Sequence, residues 1–365
     1  MATQPANSAR PVTAETVVND DLGYPIVVAQ DVRSELVAFA RRHQPPAVLL
    51  SDANGKVAGI AQQLAGALGR RPVLAFKLGE PRKRLATVEQ VLDAMLEAGV
   101  ERGSLVVGVG GGVASDLFGF ACATYMRGVR YAHVATSLVA MVDAAIGGKT
   151  GVDLRGGKNL VGCFHDPVGV FCEVGALRTL PQRATREGLA EVVKAAIIEG
   201  GELFDLLEEL SGHPLAWWSW TDVIAAAIKV KTMTVADDRV EAGAREVLNL
   251  GHTFAHAIER ASEYRVGHGE AVALGLRAAG LLALRTGRFS EAEQLRVLTL
   301  LALFGLPLQT PLEPDAVLAA MRHDKKRRDG RLRFVLPRAI GDVEYGVECA
   351  TPSVRAVLRR LHEKP

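Results

Sequence analysis

Leu105-Val-Val-Gly-Val-Gly-Gly-Gly-Val-Ala-Ser-Asp116 decides how this chain folds. An apolar, β-branched run enters three consecutive glycines and leaves as a helix expected to reach about Ala123. A strand, a glycine turn and a helix in that order let the backbone approach a diphosphate closely and aim helix N–H groups at it. The spacing is not G-x-G-x-x-G, and tight strand-to-helix turns also use glycine for steric reasons alone. Taken alone, the turn leaves both readings open.

Working outward, the same alternation continues on both sides. Upstream, residues 24–28 read as a strand, 32–42 as a helix, 47–50 as a strand ending in the turn residues Ser51-Asp52-Ala53-Asn54-Gly55, and 57–68 as a helix. Residues 72–77 read as a strand, 79–83 as a polar loop and 87–98 as an amphipathic helix. Downstream, 131–135 is another strand. Strands alternating with helices imply a mostly parallel sheet with ligand sites at the strand carboxyl ends. Next, Asp143 and Lys149 flank a turn of small residues, and Gly156-Gly157-Lys158-Asn159 follows closely. Two lysines and an asparagine on glycine-rich turns suit a phosphate or a carboxylate.

From Leu180-Pro181 the pattern turns helical and stays so over most of the remaining chain. In the helix expected over 183–200, Glu191 and Lys194 are surface neighbours three apart, set among Leu189, Ala190, Val192, Val193, Ala195 and Ala196, which points to burial. A further helix at 223–235 carries Lys229 and Lys231, and Gly267-His268-Gly269-Glu270 opens another over 271–286. Trp217, Trp218 and Trp220 read as packing anchors. A basic cluster at 323–328 precedes a strand-like run over 332–336. The expected organisation is a flexible tail over 1–20, an α/β domain over 21–179 and an all-α domain over 180–365.

The polar residues of the second half concentrate in Arg245-Glu-Val-Leu-Asn-Leu-Gly-His-Thr-Phe-Ala-His-Ala-Ile-Glu-Arg260. On one helix, Arg245, Asn249, His252, His256 and Glu259 fall within an arc of about 80°. The rest of the circumference is mostly apolar, and a polar stripe on a buried helix is costly unless something occupies it. Gly251 is a poor helix former, so the alternative is a helix beginning there, with Arg245 and Asn249 approaching on the preceding turn. A divalent metal that does chemistry wants three protein ligands and an open position. His252, His268 and Glu191 form the best set, with His252, His256 and His268 as the alternative. Lysine and arginine in such numbers nearby suit a substrate of high negative charge.

Size and composition narrow the class. At 365 residues the chain exceeds the usual single-core size, and 48% hydrophobic with 23% charged residues is ordinary for a globular enzyme. A formal charge of +2 and 5% aromatics give no reason to expect nucleic acid or a membrane surface. Four scattered cysteines without C-x-x-C spacing indicate neither a disulfide framework nor a cysteine metal site. With no apolar run of membrane-spanning length and no signal pattern at the start, a cytoplasmic protein is expected.

Several segments in order carry a resemblance to the 3-dehydroquinate synthase family, within the wider sugar phosphate cyclases, from about Gly23 to the C-terminus. They are Gly110-Gly-Gly-Val-Ala-Ser-Asp, Tyr125-Met-Arg-Gly, Val142-Asp-Ala-Ala-Ile-Gly-Gly-Lys-Thr-Gly, Gly157-Lys-Asn-Leu-Val-Gly, Gly188-Leu-Ala-Glu-Val-Val-Lys, Leu248-Asn-Leu-Gly-His-Thr-Phe-Ala-His-Ala-Ile-Glu, His268-Gly-Glu-Ala-Val and Asp324-Lys-Lys. The resemblance implies a Rossmann-like NAD-binding first domain and a second domain that binds metal and substrate. It implies an NAD site at Asp52, Asn54, Glu80, Lys83, Gly111, Gly112, Asp116, Thr136, Ser137, Asp143, Lys158 and Thr179. Zinc, or cobalt in its place, is implied on Glu191, His252 and His268. Lys149, Lys194, Lys231, Arg245, Asn249 and His256 match catalytic positions, and Asp143, Asn159, Lys325 and Lys326 match substrate-binding ones. Arg127 matches a residue lent across a homodimer interface to the substrate phosphate.

The implied reaction is that of the shikimate pathway, from 3-deoxy-D-arabino-heptulosonate 7-phosphate to 3-dehydroquinate and phosphate. It runs through transient oxidation at C5 by NAD, loss of phosphate, re-reduction and intramolecular aldol closure, with the substrate phosphate itself taking the proton. Three departures from the family pattern stand out. Ala135 and Ser137 replace a more usual Pro and Thr, Ala184 stands where an acidic residue is common, and Asp238-Arg239-Val240-Glu241 replaces Asp-Glu-Arg-Glu. None of them is expected to touch the metal or the substrate charges. The rival readings are a sister cyclase (aminodehydroquinate synthase or 2-epi-5-epi-valiolone synthase), a metal-dependent polyol dehydrogenase and a non-catalytic relative. The intact Arg245, Asn249 and His256 set favours a carboxylated substrate.

Overall fold

The computed structural model describes residues 17–325 and 332–364. The first half contains β1 (Val17–Asn19), β2 (Ile26–Ala29), α1 (Arg33–Arg42), β3 (Val48–Asp52), α2 (Gly55–Ala67), β4 (Val73–Phe76), α3 (Leu85–Glu97), β5 (Leu105–Gly110), α4 (Gly112–Thr124), β6 (Arg130–Ala135), β7 (Lys149–Leu154), β8 (Gly157–Phe164) and β9 (Gly169–Glu173). Seven of these strands form one sheet in the order β1-β2-β9-β6-β5-β3-β4, parallel throughout except for β1. The strands are apolar on both faces because both faces are covered. Leu49, Val107 and Val109 pack with α1 and α2, whereas Val48, Leu50 and Val106 pack with α3 and α4.

The direction in which successive strands are added reverses between β3 and β5, since β4 lies outside β3 while β6 lies beyond β5. The crevice at such a switch point is where this architecture binds ligands. The turn after β5 opens into it. At Gly110 an added Cβ would come within 2.4 Å of the Ala114 side chain, so the steric reason for glycine applies there as well.

The second half is helical: α5 (Gln182–Glu199), α6 (Gly201–Ser211), α7 (Trp220–Asp237), α8 (His252–Ala261), α9 (His268–Arg285), α10 (Glu291–Leu303), α11 (Pro314–Lys325) and α12 (Thr351–Arg360). Its strand-like segment belongs to a hairpin of β10 (Arg333–Ala339) and β11 (Asp342–Glu348). One apolar core runs from Ile26 and Val28 through Leu138 into Leu189, Phe254 and Leu274, so the helices share their core with the sheet edge. Val17–Asn19, at the end of the expected tail, pairs antiparallel with β2 and joins the sheet. Of the three tryptophans, Trp218 is buried against Trp220 and Phe304, but Trp217 is 75% exposed and stacks on His213 rather than in the core. No helix among the described residues is long and apolar enough to cross a membrane.

Candidate functional site

Glu191 projects from the middle of α5, and His252 and His268 are the first residues of α8 and α9. Each of the three offers one ligand atom, all lying within 4.8 Å of one another. Glycine makes the convergence possible. Gly251, at φ +78°, ends the preceding turn in a left-handed conformation, and an added Cβ would meet Leu276 N at 2.9 Å. Gly269 lies so close to α5 that a Cβ there would stand 2.2 Å from the Glu187 backbone. The helix over 245–260 is therefore broken at Gly251: Ala244–Asn249 is a 3-10 turn and α8 starts at His252.

Glu191 Oε1 lies 3.0 Å from His268 Nε2 and 3.6 Å from His252 Nε2. Its Oε2 lies 2.6 Å from the Lys194 ammonium, an ion pair without the alignment of a hydrogen bond. Burial opposes charge on Glu191, but Lys194 and His252 outweigh it and hold the carboxyl well below the usual range. For His268, partial burial favours the neutral ring, yet Glu191 and Glu259 push its pKa up to about 10. Two imidazoles and one carboxylate match the donor set of a catalytic zinc site with an open position, so the residues fit a divalent ion.

Around this trio lies a shell of paired charges. Lys231 is bonded to Asp143, and Lys149 to Glu241. Burial raises the Asp143 pKa, but Lys231 and Lys194 reverse the sign and hold it below the ordinary range. Asn249 Nδ2 donates to Glu241 Oε1 at 2.8 Å. Arg245 is fully buried and donates to the Arg239 carbonyl at 2.7 Å and the Gly147 carbonyl at 3.0 Å, leaving Nε without a partner. The expectation that the 238–241 segment touches none of the substrate charges is thus corrected. Glu241 holds Lys149 and Asn249, and the Arg239 carbonyl holds Arg245. The segment folds over them because Asp238 accepts from the backbone N–H groups of Ala242, Gly243 and Arg245.

At the crevice, Asp52 ends β3, Gly111 and Gly112 lead into α4, and Thr136 N donates to the Gly110 carbonyl at 3.0 Å just past β6. Asn54 caps α2 by accepting from Lys56 N, and Lys56 reaches the Thr179 carbonyl at 2.8 Å. The Thr179 hydroxyl is exposed and donates to the Ala176 carbonyl at 3.0 Å. Ser137 Oγ stands where a side chain on Gly111 would clash. Lys83 is buried, bonded to Asp116 and, at 2.5 Å, to Asn159. Lys158 bridges Glu80 at 2.6 Å and Glu259 at 2.9 Å. Lys149, Lys158 and Asn159 belong to the β7–β8 hairpin, an element the sequence pattern does not announce.

His256 lies one turn beyond His252, its ring stacked edge-on at 5.4 Å, exposed and outside the ligand trio. Ala184 sits half-buried in the first turn of α5. Arg127 is exposed at the end of a 3-10 turn, with φ +67°. Lys325 closes α11, and its side chain and the whole of Lys326 lie outside the described residues. Sequence reading passed over the pairing of Glu259 with Lys158 and His268, although Glu259 lies on the polar arc it singled out.

A family model described as the N-terminal part of 3-dehydroquinate synthase matches residues 73–187, and one described as its C-terminal part matches 188–327. The chain is 43% identical to a 3-dehydroquinate synthase of Prochlorococcus marinus over 80% of its length and 81% of the relative's. It is 46% identical to that of Gloeobacter violaceus over 78% of its length and 80% of the relative's. Among solved structures it is similar to 2-epi-5-epi-valiolone synthase of Streptomyces hygroscopicus with NAD+ and Zn2+ bound. That match has a TM-score of 0.84 and 31% identity, covering 96% of this chain and 99% of the other.

Proposed function

Because the chain belongs to the 3-dehydroquinate synthase family, we propose that it converts 3-deoxy-D-arabino-heptulosonate 7-phosphate to 3-dehydroquinate and phosphate. The observation that carries this reading is the convergence of buried Glu191 and His252 with half-buried His268, beside the paired lysines 194 and 231. Higher identity to 3-dehydroquinate synthases than to the valiolone cyclase favours the carboxylated substrate over its sister.

When bound, NAD accepts and returns a hydride and the divalent ion stabilises oxyanion charge. The chain's own residues do the rest. Lys149, Lys194, Lys231, Arg245, Asn249 and His256 hold the substrate's phosphate and carboxylate, with Asp143 and Asn159 beside them. Asp52, Asn54, Glu80, Lys83, Gly111, Gly112, Asp116, Thr136, Ser137, Lys158 and Thr179 frame the nucleotide. Lys325 and Lys326 complete the substrate-binding set. Asp143, Glu191, Glu241 and Glu259 are each ion-paired, which supports elimination in which the substrate phosphate takes the proton. The working form is a homodimer in the cytoplasm, with Arg127 crossing to the neighbouring site.

The test is phosphate release from the heptulosonate phosphate with NAD at a small fraction of the substrate concentration, with and without a chelator. Many turnovers per NAD, abolished by the chelator and restored by Zn2+ or Co2+, are expected. Stoichiometric NADH, or phosphate release indifferent to the chelator, contradicts the reading.

A further inference from the structure

We propose that Glu259 is a positioning residue of the metal centre: it ties Nδ1 of His268 to the Lys158 hairpin and so turns Nε2 of His268 toward the ion. Glu259 lies two turns along α8 from His252 and is 2% exposed. Its Oε1 stands 2.9 Å from Lys158 Nζ and 3.5 Å from His268 Nδ1. On the other side of the same ring, His268 Nε2 stands 3.0 Å from Glu191. The imidazole is thus held between two carboxylates, one at each nitrogen. His252 repeats the plan, its Nε2 facing Glu191 at 3.6 Å and its Nδ1 3.2 Å from the Leu250 carbonyl.

An imidazole that binds a metal through Nε2 must carry its proton on Nδ1, and an acceptor behind Nδ1 fixes both the tautomer and the ring angle. Leu250 supplies that acceptor for His252 through the backbone. His268 opens a helix, and what faces its Nδ1 is the carboxylate of Glu259. A buried carboxylate is costly unless a cation faces it. Lys158 provides the cation, itself resting over the Tyr264 ring at 5.1 Å and reaching Glu80 at 2.6 Å. The result is a chain Glu80–Lys158–Glu259–His268 running from the nucleotide side of the cleft to the metal side. The plainer alternative makes Glu259 only the buried counter-ion of Lys158, with no bearing on His268.

This inference rests on the metal-binding reading of the trio, and the experiment separates the two. Co2+ is titrated into the metal-free protein and into Glu259→Gln, reading the visible d–d spectrum and a chelator competition. The variant is expected to bind Co2+ about 10–100-fold more weakly, with a shifted d–d band. Equal affinity and an identical spectrum overturn the role of Glu259 and leave the metal site standing. No d–d spectrum with either protein overturns both. Should the variant fail to fold, histidine 15N NMR of the wild-type zinc form decides. A protonated Nδ1 and a metal-bound Nε2 on His268 are expected, and metal on Nδ1 refutes the proposal.

Discussion

Glu191 and Lys194 meet at 2.6 Å on one face of α5, their side chains 1% and 5% exposed. A buried ion pair one turn apart costs desolvation on both sides, and removing either member leaves the other uncompensated. Here the carboxylate is shared with two imidazoles, so its charge balance depends on what those rings hold.

Lys194→Met therefore destabilises the metal-free protein, by about 3–5 kcal/mol. A divalent ion replaces the missing positive charge, so Zn2+ is expected to raise the variant's melting temperature more than the wild type's. Differential scanning calorimetry with and without Zn2+ checks this. Equal metal-induced shifts contradict it.

Gly251→Ala places a Cβ at φ +78° and 2.9 Å from Leu276 N. Backbone strain of this kind costs more than about 1 kcal/mol, and His252 follows directly, so stability and Co2+ affinity should fall together. Denaturant melts and Co2+ titration measure the two. A loss of stability with unchanged Co2+ affinity would show that Gly251 serves packing alone.

Glu173 gives the pH dependence. Burial pushes its carboxyl up to about 7, against a hydrogen bond from Val32 N that pulls it down. Its unfolded value is about 4.3. A raised folded pKa means that its contribution is full below the unfolded value and is lost as pH rises through about 7. Glu173→Gln, which cannot ionise, should gain on the wild type in melting temperature as pH rises from about 4 to about 7. A difference that stays flat across that window contradicts the assignment.

Arg127 gives the oligomeric test. Inactive Arg127→Ala and Lys194→Met proteins, mixed and allowed to exchange subunits, should regain activity at roughly a quarter of the sites, since each mixed dimer holds one intact centre. No recovery, with exchange shown by mass, places Arg127 in its own subunit's site.

Much of this was legible in the chain, for identifiable reasons. Leu105–Asp116 reads as strand, turn and helix because β-branched residues give way to three glycines. Glu191, His252 and His268 stand out as polar residues on apolar helices, and that contrast survives folding. The β7–β8 hairpin was not legible: Gly151, Gly156, Gly157 and Gly162 erase the alternation that marks a strand. The grip of Glu241 on Lys149 was also hidden, being a contact across 92 residues that no local pattern encodes. Arg245 illustrates the limit further, since two backbone carbonyls that fix its guanidinium are brought to it by tertiary structure.

The central claim is spatial, and anomalous diffraction tests it most directly. A crystal of the Co2+-loaded protein, recorded on both sides of the cobalt edge, is expected to show one strong site bonded at about 2.0–2.2 Å to Glu191, His252 and His268. An ion held by other residues, or no ion between these three in a protein that releases phosphate, would contradict the account.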